Sequence, residues 1–317
     1  MLMNSKPSWR SLCVAVALAL SPALMAQTIT WQGQSLAFKH TPQKLAVYEL
    51  SALDTLQALG VRASIVPDAT FPVTLAAYNQ GSAIKAGSLF EPDVAVLTAQ
   101  KPDLIIVGGR SKAKQDTVQN LAPTLDLSPN TNDYMADLQA RTDLLANTFG
   151  KQAIAAQRLH AIHSKQAQLK SQTRGKTALM LFTNKGNFMP HAEGERFGFV
   201  YEFAGLQSVL PAVAPKDDSE PAKPRPEAGS PEAEAAKIKA TQRLQAAVQQ
   251  QPDYLIVLDR GAVNTNDYTA AQELQKNAIL QQAKGKVIVV DANAWYLTGT
   301  GLANTEVMLD ELIKATQ

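Results

Sequence analysis

The sequence predicts an α/β protein made of two lobes, each with a mainly parallel sheet, tied together by a helical spine. Three observations carry that prediction. Two widely separated decapeptides, Lys101-Pro-Asp-Leu-Ile-Ile-Val-Gly-Gly-Arg110 and Gln251-Pro-Asp-Tyr-Leu-Ile-Val-Leu-Asp-Arg260, share one pattern: a Pro-Asp opening, an apolar β-forming run and a closing arginine. A continuous apolar run behind a turn signal reads as a buried parallel strand. Apolar runs then alternate with helical patterns on both sides of the chain's centre, the order expected when helices cover a parallel sheet. Finally, Asp133 to Thr173 carries almost no strand signal, and Lys151 to Gln172 is rich in Ala, Gln, Lys and Leu. All four are good helix formers. At 1.5 Å per residue, roughly 22 residues of helix reach about 33 Å, long enough to run along both lobes.

The chain opens with a targeting segment. Lys6 and Arg10 supply a positive start, Leu12 to Leu20 an apolar centre, and Ser21-Pro-Ala-Leu-Met-Ala26 a small-residue exit. This reads as a secretory signal peptide spanning residues 1–26, cleaved after Ala26. Its apolar stretch is shorter than the ~20 residues of a membrane span. Cleavage would remove Cys13, the only cysteine. The mature protein is therefore expected to be cysteine-free, exported and periplasmic.

The N-terminal lobe is expected over residues 27–150. Leu45 to Leu50 reads as a strand, and Ser51 to Leu59 as a helix with Ser51 as its N-cap and Gly60 as its stop. Val61 to Val66 resumes extended structure. Glu91 to Gln100 is a short helix feeding the first Pro-Asp strand, and Ser111 to Leu121 is helical up to Pro123. Gly150 separates two helices, the second forming the connecting helix of residues 151–173. The C-terminal lobe, 174–317, has strands at Thr177–Thr183, Tyr254–Leu258 and Val287–Val290 and a last helix from Thr305 to Lys314. Between them, residues 211–234 are dominated by Pro, Ala, Lys, Glu and Asp, a composition that buries too little apolar surface to offset ordering. That stretch reads as a mobile surface loop.

Thirty basic residues stand against 28 acidic ones, and no basic tract carries interleaved aromatics. Nucleic acid is thus not an expected partner, and the arginines have to act locally. In open parallel sheets ligands bind beyond the carboxyl ends of the strands. Arg110 and Arg260, which close the repeated motif, would therefore sit at a ligand site, as a two-sided clamp for an anion. Arg196 lies between Gly194 and Gly198, flanked by Phe197 and Phe199. Trp295 and Tyr296 follow the last strand, where the Tyr296 phenol could donate a hydrogen bond or, as phenolate, bind a hard cation. His160 and His163 share a helix face with no carboxylate or thiol to complete a metal shell; His191 is close enough in sequence to Arg196 to reach the cleft. No nucleophile elbow, Walker loop or dinucleotide fingerprint is present.

Taken together these residues resemble the periplasmic ferric-siderophore-binding proteins of ABC importers, in the enterochelin- and anguibactin-type catecholate branch. The resemblance rests on Leu53-Asp-Thr-Leu-Gln-Ala-Leu-Gly60, Gly87-Ser-Leu-Phe-Glu-Pro-Asp93, Lys101-Pro-Asp-Leu-Ile-Ile, Leu121-Ala-Pro-Thr124, Arg196-Phe-Gly-Phe199, Val257-Leu-Asp-Arg260 and Ala294-Trp-Tyr-Leu297, in family order. It implies two Rossmann-like lobes joined by a single long helix and a modest closure on the ligand. It also implies that Arg110, Arg196 and Arg260 form a triad beneath an anionic ferric catecholate. Tyr296, beside Trp295, then corresponds to the tyrosine that completes the iron shell when the siderophore brings only four oxygens. The resemblance implies a ferric siderophore as the transported ligand and no intrinsic cofactor. The expected partners are an inner-membrane ABC permease and its ATPase, with the protein a monomer that catalyses nothing.

The chain departs from that pattern in three places. The 211–234 loop holds no histidine to pair with Tyr296, which leaves His191 as the substitute. The positions of the usual permease-docking glutamates hold Ala95 and Gln245; Glu91 and Asp93 are the nearest acids in the first lobe, with Glu232 and Glu234 further off in the second. The loop is also long enough to cover part of the cleft. Haem or a corrinoid is the alternative ligand, and an exported α/β hydrolase the alternative class.

Overall fold

The computed structural model describes residues 27–214, 227 and 229–317. The expected signal peptide, 1–26, and positions 215–226 and 228 of the 211–234 loop lie outside the described residues. The described chain begins with an antiparallel hairpin, β1 (Gln27–Trp31) and β2 (Gln34–Phe38). Gln32 and Gly33 both take positive φ at its turn, the twist that matches the flanking strands.

The first sheet is built from β3 (Leu45–Val47), β4 (Ile65–Val66), β5 (Ile84–Lys85), β6 (Leu104–Val107) and β7 (Thr124–Asp126), all parallel, in the order β5-β4-β3-β6-β7. Helices α1 (Leu50–Ala58), α2 (Val94–Gln100) and the single-turn α3 (Gln115–Val118) lie between these strands. Strand order reverses between β3 and β6, so the crevice of this sheet opens there.

Several boundaries differ from the sequence reading. The cap of α1 is Glu49, whose carboxylate accepts from the backbone and hydroxyl of Ser51, so Ser51 is the capped residue and not the cap. The strand expected to reach Leu50 stops at Val47, because Leu50 is already helical. The helix expected from Glu91 starts at Val94, where Asp93 accepts from the Val96 backbone. Only Gln115–Val118 of the 111–121 stretch is α-helical, after a 3-10 turn.

Helix α4 (Tyr134–Phe149) stops at Gly150 in the left-handed region, and α5 (Gln152–Gln172) follows. Along α5 only Ala155, Leu159, Ile162, Gln166 and Leu169 are buried, a narrow stripe at helical spacing. Its polar flank is pinned to the C-terminal helix α9 (Leu302–Ala315) by Arg158–Glu306 and Lys165–Asp310 ion pairs.

The second sheet holds β8 (Thr177–Asn184), β10 (Gln207–Ser208), β11 (Tyr254–Asp259) and β12 (Lys286–Val290), parallel in the order β10-β8-β11-β12. One further strand, β9 (Asn187–His191), folds back antiparallel on the far half of β8. This sheet's order reverses between β8 and β11. Its helices are α6 (Phe199–Ala204), α7 (Pro231–Gln249) and α8 (Ala270–Lys276). The loop expected over 211–234 therefore gives way to helix at Pro231, where Ser230 caps the Ala233 backbone and Pro231 opens the first turn. Helix α9 begins three residues before the expected Thr305.

The repeated Pro-Asp opening has one structural meaning in both sheets. Lys101 and Gln251 end their helices with φ of 48° and 50°. The aspartate that follows staples the start of its strand to that of the neighbour. Asp103 accepts from the Gln43 and Lys44 backbone ahead of β3, and Asp253 from the Thr177 backbone at the head of β8. The largest apolar cluster is continuous from Leu45, Leu53 and Leu104 through Leu159 and Phe203 to Ile256, Leu302 and Met308, so one core joins the two sheets.

Candidate ligand-binding site

A cavity of about 980 Å³ lies beyond the strand-order reversal of the first sheet, lined by residues that follow β3, β6 and β7 on one side and β9, β10 and β12 on the other. Arg110 reaches it from the end of β6 behind Gly108-Gly109, and Tyr296 from the turn after β12. Arg196 comes from the loop between β9 and α6. Arg260, at the end of β11, stands behind Tyr296 and is not among the lining residues. The three guanidinium carbons lie 5.6, 4.8 and 4.7 Å from the Tyr296 ring centroid for Arg110, Arg196 and Arg260 respectively. All are within cation–π range.

The turn that carries Tyr296, Ala294–Thr298, is π-helical and closes on Gly299 at φ 50°. Widened turns of this kind recur at functional sites because they leave carbonyls without an internal partner. Here Arg110 crosses the cleft to take two of them, donating to the carbonyls of Tyr296 at 2.8 Å and Leu297 at 3.3 Å. Asn304 holds the same turn from α9 through the carbonyls of Ala294 and Gly299.

Burial pushes the Tyr296 phenol up. Hydrogen bonding by Arg260 and the charges of Arg196 and Arg260 outweigh it and leave the phenol below its ordinary value. Phe182 and Phe197 stack at 5.3 Å and flank the same ring. The result is an aromatic floor with cations around it.

His191 ends β9, lines the cavity and sets its ring edge-on to Phe197 at 5.2 Å. Burial pushes its imidazole down, against the pull of Glu195, and its Nδ1 has no partner among the described residues. A neutral imidazole keeps a lone pair. Arg196 is exposed, and its loop is held by Glu195, which takes both nitrogens of Arg243 on α7 at 2.9 and 2.7 Å and the Ala192 backbone at 2.6 Å. Gly198 is required in this loop because a Cβ there would run into the Ala192 carbonyl.

Trp295 is part of the wall, but it is 2% exposed, stacks on Phe199 and gives its indole N–H to Glu311 at 2.7 Å. It offers a ligand a ring edge at most. Glu91 is on the outer surface ahead of α2, its carboxylate 2.9 Å from the Lys114 ammonium, outside the cavity lining. His160 and His163 are exposed on α5.

Sequence reasoning missed Glu49 and Lys112, which line the cavity, as well as Phe182 and the Glu195–Arg243 pair. The strand-end rule used for the arginines reaches Glu49 only once the strand stops at Val47; a strand carried on to Leu50 hides it as an interior residue. The Glu195–Arg243 pair had no such signal, because α7 itself was hidden by its polar composition.

The sequence pattern of the periplasmic binding protein family matches residues 45–294. The petrobactin-binding protein YclQ of Bacillus subtilis is 27% identical over 290 residues, which span 86% of this chain and 81% of that protein. The ferric-anguibactin-binding protein FatB of Vibrio anguillarum is 26% identical over 287 residues, covering 87% and 83%. The crystal structure of YclQ superposes with a TM-score of 0.77, covering 92% of this chain and 99% of that one at 22% identity, which speaks for a shared fold.

Proposed function

The chain belongs to the periplasmic binding protein family, and on that premise we propose that it captures a ferric siderophore, of catecholate type, and delivers it to an inner-membrane ABC permease. The observation that carries this is the convergence of Arg110, Arg196 and Arg260 on the Tyr296 ring at a cavity of about 980 Å³. Catecholate oxygens leave ferric complexes with net negative charge. Planar, permanently charged guanidinium groups suit such oxygens better than lysines do. Hard oxygen donors also suit a hard cation. A phenol held below its ordinary value supports Tyr296 as an oxygen ligand for a chelate that leaves iron sites open.

Two relatives named for binding petrobactin and ferric anguibactin support the same ligand class. In this reading the protein works in the periplasm as a carrier, with no reaction of its own, and its signal peptide is removed. Haem or a corrinoid is not favoured, since the cationic ring suits a more anionic load.

The test is a fluorescence titration of the mature protein with a ferric catecholate, a ferric hydroxamate and haem. Trp295, in the cavity wall, reports occupancy. Saturable quenching by the catecholate is expected. Arg110→Ala should weaken it by about 1.5–3 kcal/mol, the worth of a charge-assisted hydrogen bond, and Arg260→Ala should weaken it through the Tyr296 phenol that Arg260 supports. Saturation by the hydroxamate or haem alone, or unchanged affinity in both variants, overturns the reading.

A further inference from the structure

Two carboxylates line the cavity, Glu49 and Glu195, and they are in opposite conditions. Both oxygens of Glu195 are taken by Arg243 and the Ala192 backbone. Glu49 is 5% exposed and satisfied on one side only: its Oε1 accepts from the Ser51 backbone at 3.2 Å and from the Ser51 hydroxyl at 3.0 Å. Among the described residues Oε2 accepts no hydrogen bond, and no Lys or Arg nitrogen lies within ion-pair distance.

The chain makes room for this oxygen. A Cβ on Gly109, which sits at φ 44°, would be 2.9 Å from Oε2, and one on Gly108 would be 3.0 Å from it. The Gly-Gly pair that distinguishes the first repeat from the Leu-Asp of the second is therefore the space into which Glu49 fits. In the second lobe Asp259 occupies the Gly109 position of the repeat, and its carboxylate is consumed by the backbones of Gly261, Thr269 and Ala270. The two halves of the cleft thus differ by one carboxylate oxygen free to meet a ligand.

We propose that Glu49 is a specificity-determining residue whose Oε2 receives a cationic N–H group, a protonated amine or an imidazolium, carried on the backbone of the bound chelate. The inference rests on the ferric-siderophore reading and deepens it. Ligand oxyanions have the arginines to go to, and a carboxylate repels them. A buried carboxylate with no cation in direct contact is costly, and burial pushes the Glu49 carboxyl above the usual range against the pull of Ser51, Arg110 and Arg141. A ligand cation removes that penalty and gains a charge-assisted hydrogen bond. The cavity then selects a chelate that is anionic at the iron and cationic on one arm.

The test uses two ferric chelates that differ by one atom. The first is spermidine acylated at both ends with dihydroxybenzoic acid, whose middle nitrogen remains a protonated secondary amine. The second is the octane-diamine analogue, in which a methylene replaces that nitrogen. The wild-type protein should prefer the amine-bearing chelate roughly tenfold, the fold-change of one charge-assisted hydrogen bond. Glu49→Gln should bring the ratio close to one while leaving the analogue bound at least as well as before. Where Gln at 49 does not fold, Glu49→Asp, which keeps the charge and withdraws it by a methylene, must lower the ratio.

Equal wild-type affinity for both chelates, or a ratio that survives the substitution, overturns this inference alone. Binding of neither chelate overturns the siderophore reading and this inference with it.

Discussion

Tyr296 is the residue on which the cleft turns. Burial pushes Tyr48, Tyr78, Tyr134, Tyr201 and Tyr268 up, each for want of enough cationic help, whereas Tyr296 is held down by the guanidinium groups around it. A phenol below its ordinary value loses its proton to solvent at lower cost when its oxygen coordinates a ferric ion. Titration of phenolate absorbance should therefore show Tyr296 ionising ahead of those five. Arg260→Gln should raise it, because it removes both a hydrogen bond and a charge that favour the phenolate. An unmoved early transition in that variant would show that the arginines do not set the phenol's acidity.

Among the elements, the two Pro-Asp strands carry the symmetry of the fold. Asp103 and Asp253 each tie the start of one strand to its neighbour. Burial pushes the Asp103 carboxyl up, but the Lys44 and Gln43 backbone N–H groups win and hold it down. For Asp253 the Thr177 backbone N–H is the leading cause of a downward shift, followed by the hydrogen bond from Lys176. A carboxylate whose folded value lies below its unfolded value of about 3.9 stabilises the fold above that pH. The contribution fades as pH falls through the folded value. Asp103→Ala and Asp253→Ala should each lower stability at neutral pH by about 1–2 kcal/mol, the hydrogen bonds being partly exposed to water. In urea melts the gap to wild type should close as pH drops below ~4. A gap that is constant with pH would mean that the carboxylate charge is not what holds the strands in register. The exposed Lys176 partner of Asp253 should matter little by comparison.

For the whole molecule, the joint between the lobes is broader than one connecting helix. Arg141 on α4 is 1% exposed, pairs with Asp137 at 2.7 Å, donates to the Ser51 hydroxyl in the first lobe and to the Thr300 carbonyl in the second. Asp54 and Thr55 of α1 accept from the Asn304 and Leu302 backbone at the start of α9, so one lobe caps a helix of the other. Arg141→Ala leaves Asp137 buried without its cation and should cost about 3–5 kcal/mol. Chemical denaturation of the wild type should show one cooperative transition, since the apolar core runs unbroken between the sheets. Two separate wild-type transitions would refute the shared core as the joint.

How much of this was legible beforehand follows from the range of the interactions involved. Strand runs, helix stretches and the arginine at each strand end are local properties of the chain, so the α/β class, the repeated motif and the strand-end positions of Arg110 and Arg260 could be read directly, whereas the part of Tyr296 came through the family resemblance. Helix α7 could not be read from periodicity, because only Leu244, Ala247 and Val248 of its 19 residues are buried. Its Ser-Pro start and first-turn glutamates were the signal available. Spacing makes Ser51 look like the cap of α1, but capping is a matter of side-chain direction, which spacing does not encode. By itself the sequence determined which segments extend or coil and which charges end them. Tertiary structure alone decided that Arg110 crosses to the Tyr296 turn, that Arg260 stands behind the ring, and that Glu49 keeps one oxygen free beside Gly108-Gly109. Those facts depend on strand order and on how two sheets pack through shared helices, and such through-space distances between remote residues are set only once the core has closed.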